Sequence, residues 1–178
     1  NRAFVAQGLK VMAHRRNVGM AALIDASRLT RAPSCSDCGF ALGPRINAGG
    51  RVGEATLGVR LLTTEDPGEA AAIAEQLSRL NEERRGIEAA VQEAAEEQLP
   101  AQHNRAVQIV AGHGWHPGVI GIVAGRIKEK TGKPALVIAL DDTGGIGLAS
   151  GKGSGRSIAG VDLGAAIIAA RELGLLVA

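Results

Sequence analysis

The stretch best equipped to hold an anion is Gly151-Lys152-Gly153-Ser154-Gly155-Arg156-Ser157, where glycines alternate with cations and hydroxyls. Glycine lets backbone N–H groups come close to an anion, while Lys152, Ser154, Arg156 and Ser157 add charge and donors, so phosphate binding is the chemistry on offer. Lying just after a predicted strand and before a predicted helix, the segment also fits a plain glycine turn. Its spacing matches neither G-x-x-x-x-G-K-[ST] nor G-x-G-x-x-G, which excludes a Walker A loop and weakens nucleotide-cofactor readings. A second stretch, Pro44-Arg45-Ile46-Asn47-Ala48-Gly49-Gly50-Arg51, sets two arginines and an asparagine among glycines and a proline. Such arginines can clamp backbone phosphates, or pair with carboxylates of a neighbouring helix.

Other candidates carry less. His113-Gly114-Trp115-His116-Pro117-Gly118 falls between a strand and a helix. Two histidines do not complete a catalytic metal site, and Trp115 fits a packing role. Cys35 and Cys38 form a single C-x-x-C, whereas structural zinc needs about four ligands, so the pair reads as two thiols in a reducing compartment. No Ser-His-Asp set, paired catalytic carboxylates or Asp/His cluster is legible. The chain alone is not expected to hydrolyse anything.

The elements that position these residues follow from periodicity. Asp66 is a good N-cap, Pro67 suits the first helical position, and Glu69 stands where a capping box would place it. Ile73, Leu77, Leu80, Ile87, Val91 and Ala94 then keep a helical stripe, broken at Arg84, until Pro100. A helix from Pro67 to Leu99 would run ~50 Å, too long for one small domain to cover, and should join two lobes. Glu82, Glu83, Arg84 and Arg85 read as its solvated face. Upstream, Phe4–Met12, Met20–Leu29 and Thr56–Leu62 are amphipathic helical stretches, and Gly39–Arg51 is too rich in Gly and Pro to be regular helix throughout. Downstream, Val107–Ala111, Ala135–Leu140 and Ile146–Ser150 read as strands, and Val119–Lys130 and Leu163–Leu173 as helices. The expected fold is α/β: a helical segment over 1–65, a long connecting helix over 66–100, and an incomplete α/β lobe with a small sheet over 101–178.

Composition narrows the functions further. The 178 residues are 46% hydrophobic but only 2% aromatic, with two Phe, one Trp and no Tyr, which argues against base-stacking platforms. The formal charge of +2 conceals a strong division. Residues 1–60 hold nine Lys and Arg against three Asp and Glu, 61–104 hold three against ten, and 105–178 hold eight against five. Fifteen of the 20 basic residues are Arg, which suits planar anion recognition and equally an Arg-rich genome. No apolar run approaches the ~20 residues of a membrane span, so no membrane partner is expected. The start Asn1-Arg2-Ala3, with neither initiator Met nor signal peptide, reads as an internal piece of a longer protein.

Four ordered blocks, F-A-L-G-P-R-I-N-A-G-G-R (Phe40–Arg51), L-N-E-E-R-R (Leu80–Arg85), W-H-P-G-V-I-G-I-V-A-G-R-I-K (Trp115–Lys128) and G-S-G-R-S-I (Gly153–Ile158), together resemble the bacterial RecJ family. These are single-strand-specific 5′→3′ DNA exonucleases of the DHH phosphoesterase superfamily. The resemblance implies a DHHA1-type second lobe joined through the long helix. It also implies that the Asp and His ligands for Mn²⁺ or Mg²⁺, in a D-H-H signature, belong to a catalytic lobe N-terminal to this region, and that a G-G-H-x-x-A-A-G block would follow it. Neither signature is present here, so no catalytic residue and no metal ligand is expected in this chain. By the same resemblance Ser154, Gly155, Arg156, Ser157 and Lys152 help hold a DNA phosphate at the 5′ end. Arg45, Asn47 and Arg51 would line a cleft between the lobes, with His116 near it. Gly49 departs from the usual N-A-A-G-R. The implied setting is cytoplasmic DNA repair and recombination, on single-stranded DNA with a 5′ end, with a helicase or single-strand-binding protein as further partner. Alternatives are another DHH-superfamily phosphodiesterase, of the oligoribonuclease or cyclic-dinucleotide kind, and a non-enzymatic protein-interaction module docking through the long helix.

Overall fold

The computed structural model describes residues 1–141 and 150–176. The strand expected over Ile146–Ser150 therefore lies, Ser150 apart, outside the described residues. The chain divides into two compact units between Gly86 and Ile87, a point inside its longest helix.

The first unit is helical. Helices α1 (Arg2–Ala13), α2 (Val18–Ala26), α3 (Cys35–Asp37), α4 (Gly43–Val52) and α5 (Leu57–Thr63) precede α6 (Pro67–Glu97), and a π-helical turn over Cys38–Leu42 leads into α4. Leu23, Ile24, Leu42, Leu57, Leu61, Ala70, Ile73, Ala74 and Leu77 form the core. Asn17 ties the start of α2 to the end of α5: its Oδ1 accepts from the Met20 N–H at 2.7 Å and its Nδ2 donates to the Leu62 carbonyl at 2.9 Å. Helix α1 follows the predicted pattern but buries no residue, and Phe4 is 84% exposed.

Gly39–Arg51 corrects the expectation of an irregular segment. It is helical almost throughout, and only the π turn departs from α geometry. The Gly43 N–H closes that turn onto the Cys38 carbonyl, and a Cβ on Gly43 would lie 2.6 Å from the same oxygen. Pro44 then occupies the first turn of α4, where its missing N–H is tolerated.

Helix α6 starts where Asp66 predicts: its Oδ1 accepts from the N–H groups of Gly68 at 2.7 Å and Glu69 at 3.3 Å. The capping box does not form. Glu69 instead takes hydrogen bonds from Arg60 at 2.8 Å and Thr64 at 2.6 Å, and the Asp66 N–H donates to the Thr64 hydroxyl. The stripe on α6 serves two cores, Ala70 to Leu77 in the first unit and Val91 and Ala95 in the second. Between them the buried positions are polar, Asn81 and Glu88. Glu82, Glu83 and Arg85 are exposed as expected, whereas Arg84 is half-buried and donates to Asn81.

In the second unit β1 (Gln108–His113) runs parallel to β2 (Ala135–Leu140), and β2 pairs antiparallel with β3 (Gly151–Arg156). Helix α7 (Pro117–Thr131) packs on one face of this sheet, closing at Gly132 in the left-handed conformation, and α8 (Leu163–Glu172) follows β3. Val110, Val119, Ile120, Val123, Ile127 and Val137 lie in the core. The C-terminal half of α6 is laced to α7 by a ladder of side chains. Arg126 bridges Glu88 and Gln92, and Lys130 reaches Glu96, which holds the Glu96 carboxyl below its usual pKa.

The edge of β1 away from β2 is closed by two glutamines. The Gln98 amide donates to the Ala111 carbonyl at 2.9 Å and accepts from the Ala111 N–H at 3.2 Å. Gln102 does the same for Ile109. Each amide thus makes the pair of bonds a neighbouring strand would make, and Gln102 is itself buried. Replacing Gln102 with Leu keeps the bulk but orphans both Ile109 groups, an expected loss of about 1–3 kcal/mol. Denaturant titration is the check; an unchanged midpoint would show that the amide contributes nothing.

Candidate nucleic-acid interface

The glycine-rich segment is a strand, not a turn, and this corrects the expectation of an anion-cradling loop. It pairs with β2 along one edge, with Ser154 opposite Val137 and Arg156 opposite Ala135. Strand alternation decides which side chains of this strand could meet a phosphate. Directly opposed residues point to the same face, so Lys152, Ser154 and Arg156 share the face of Ala139, Val137 and Ala135, the buried side on which α7 packs. Gly151, Gly153 and Gly155 point the other way. There a Cβ on Gly155 would lie 2.9 Å from side-chain carbons of both Leu136 and Leu163, so the start of α8 packs closely on the sheet at this glycine.

The three polar side chains form a row along α7, with Lys152 at the end of the sheet from which that helix departs. Lys152 and Arg156 are exposed and Ser154 is half-buried. One Arg156 nitrogen, Nη1, donates to the Gly155 carbonyl at 2.7 Å and to Ser154 Oγ at 3.3 Å, which joins guanidinium and hydroxyl into a single donor surface. Ser157 is turned elsewhere: its hydroxyl donates to the Val161 carbonyl at 2.7 Å, bracing the turn before α8.

His116 is the N-cap of α7, its Nδ1 accepting from the Gly118 N–H at 3.0 Å. That bond requires an unprotonated Nδ1. Trp115 packs as expected: it is half-buried against the core, and a Cβ on Gly112 would lie 2.3 Å from its indole.

In the first unit the structure separates residues that the sequence grouped. Asn47 and Arg51, one turn apart on α4, line a groove of about 540 Å³ with Gly50, Gly58 and Val59. Arg45 faces α6 instead. Its Nε donates to Ser78 Oγ at 3.1 Å and its Nη1 to the Ala41 carbonyl at 2.7 Å, so it braces the π turn against α6 through a hydroxyl and a carbonyl. Burial lowers its pKa, with nearby Glu82 acting in the opposite direction.

The π turn has a second brace that sequence reasoning missed. Arg31 clamps Asp37 with bonds of 2.6 and 3.0 Å, and the Ser34 N–H and hydroxyl both donate to the same carboxylate. Only the S-x-x-D spacing of a capping box marks it in the sequence. The hydrogen bonds from Arg31 and Ser34 hold the Asp37 carboxyl well below the usual carboxylate range. Beside it, burial pushes the Cys38 thiol up, with a smaller push from Cys35, and both cysteines are free thiols. Among the described residues no three His, Cys, Asp or Glu side chains converge to hold a metal ion, and no helix is long and apolar enough to cross a membrane.

Residues 103–174 match the DHHA1 domain family. The chain is 41% identical over 170 residues to the single-stranded-DNA-specific exonuclease RecJ of Dickeya dadantii (strain 3937), covering 92% of this chain and 29% of that protein. It is 34% identical over 175 residues to the RecJ of Bacillus subtilis (strain 168), covering 97% of this chain and 22% of that one. The crystal structure of Thermus thermophilus RecJ in complex with Mn²⁺ superposes with a TM-score of 0.81 at 34% identity, covering 97% of this chain and 24% of that chain. This chain thus spans less than a third of the length of these relatives.

The Asp37 clamp gives a pH dependence of definite sign. A carboxyl whose folded pKa lies below its unfolded value of about 4 stabilises fully above that value and loses the contribution as pH falls below it. Thermal melts from about pH 6 to about pH 2 should show the parent losing Tm faster than Asp37→Asn. Parallel curves would mean that the clamp adds no stability.

Proposed function

We propose that this chain, which belongs with the RecJ exonucleases and carries a DHHA1 domain at residues 103–174, is the substrate-holding part of a single-stranded-DNA 5′→3′ exonuclease acting in DNA repair and recombination. The observation that carries the reading is the row of Lys152, Ser154 and Arg156 on the α7 face of β3. A guanidinium beside a hydroxyl suits two oxygens of one phosphate, and a lysine farther along the row suits the charge of a neighbouring one. Strength and selectivity come from these side chains. The groove holding Asn47 and Arg51 supplies a second set of phosphate contacts. Ser157 and His116 support this surface by fixing the turn before α8 and the start of α7.

Hydrolysis belongs to the whole protein, where Mn²⁺ or Mg²⁺ activates water. The donor sets described here do not fit such an ion, so no step is assigned to this chain beyond gripping and orienting the strand and its 5′ end. The working site is the cytoplasm, and a helicase or single-strand-binding protein supplies the strand.

Two outcomes test the reading. Arg156→Ala should weaken binding of 5′-phosphorylated single strands about 10–100-fold, the loss of one or two charge-assisted hydrogen bonds, and leave 5′-hydroxyl strands much less affected. Equal loss on both would sink end recognition. The chain alone with added Mn²⁺ should release no nucleotides from labelled single-stranded DNA; steady release would place catalytic residues within it.

A further inference from the structure

A glycine inside a regular helix destabilises it relative to alanine and calls for a packing reason. Helix α7 contains three, Gly118 in its first turn and Gly121 and Gly125 one turn apart beyond it, and the latter two differ sharply. A Cβ on Gly125 would meet nothing within 4 Å, whereas one on Gly121 would lie 2.9 Å from Ser154 Oγ and 3.0 Å from Arg156 Nη2. Gly121 therefore leaves the gap into which the two side chains of the β3 row extend. With Arg156 Nη1 already bonded to Gly155 and Ser154, Nη2 is the nitrogen that reaches across this gap.

We propose that Gly121 is a positioning residue for phosphate recognition: its missing side chain sets where the Ser154 hydroxyl and the Arg156 guanidinium meet their ligand. This rests on the reading of that row as a phosphate site. The atoms in the way of an added methyl are the tips of two flexible side chains, not backbone. The helix and the sheet therefore keep their places, and the donors move. Bidentate guanidinium–phosphate contact depends on orientation, so a displacement of this size lowers affinity without unfolding anything.

The test is fluorescence anisotropy of the 178-residue chain with short single strands bearing either a 5′-phosphate or a 5′-hydroxyl, together with thermal melts. Gly121→Ala should weaken binding of the phosphorylated strand about fivefold, spare the hydroxyl strand, and leave Tm equal or higher, since alanine is the better helix former. Gly125→Ala should raise Tm and leave both affinities unchanged. Parental affinity in Gly121→Ala, beside weakened binding in Arg156→Ala, overturns the inference and leaves the site intact. A lowered Tm with equal loss on both strands also overturns it, because the role would then be structural. If Arg156→Ala has no effect, the phosphate site itself fails. The Arg156 Nε–H resonance then decides: movement in Gly121→Ala but not in Gly125→Ala upholds the positioning, and no movement overturns it.

Discussion

The pairing of β3 with β2 is the constraint on which the candidate site depends. Once Gly151–Arg156 is locked in antiparallel register, alternation leaves no choice: Lys152, Ser154 and Arg156 must share the α7 face, and the glycines must share the other. A slip of one residue would exchange the two sets and bury three glycines where the donors now stand. The close packing of Gly155 against Leu136 and Leu163 opposes such a slip, because a side chain brought there would have to displace both leucine tips. Packing on the glycine face thereby holds chemistry on the opposite one.

A second constraint comes from the length of α6. At 31 residues it contributes buried positions to both cores. Leu77 closes the first and Val91 opens the second, with Asn81 and Glu88 buried between them. Buried polar groups need partners. Asn81 receives a bond from Arg84 in the first unit, and Glu88 is met by Arg126 from α7 in the second.

Most elements were legible because local signals agreed with tertiary demands. Strand β2 occupies the predicted residues, α7 and α8 agree to within two residues at each end, and Asp66 caps α6 as read. The sequence misled where a local rule had a tertiary competitor. Gly and Pro spoke against helix over Gly39–Arg51, but a π turn and a proline in a first turn absorb them. Glycines spoke for a turn over Gly151–Gly155, but β2 offered a full ladder of partners. Glu69 had the capping-box spacing, yet Arg60 and Thr64, brought near by α5, are better partners for a carboxylate. Of the candidate residues, Lys152, Ser154 and Arg156 come together as a row and Asn47 joins Arg51, whereas Arg45 is drawn to Ser78, a partner 33 positions away that no spacing rule could have named.

The amides of Gln98 and Gln102 also decide how this sheet can meet other chains. An open strand edge is a template for aggregation or for a strand from elsewhere, and proteins protect such edges in various ways. Here the β1 edge is occupied by side chains that imitate a neighbouring strand. Growth of the described sheet is therefore one-sided: a further strand can join only beside β3. An intruder there would have to seat beside the charged Lys152 and Arg156, one of the ways in which strand edges are protected.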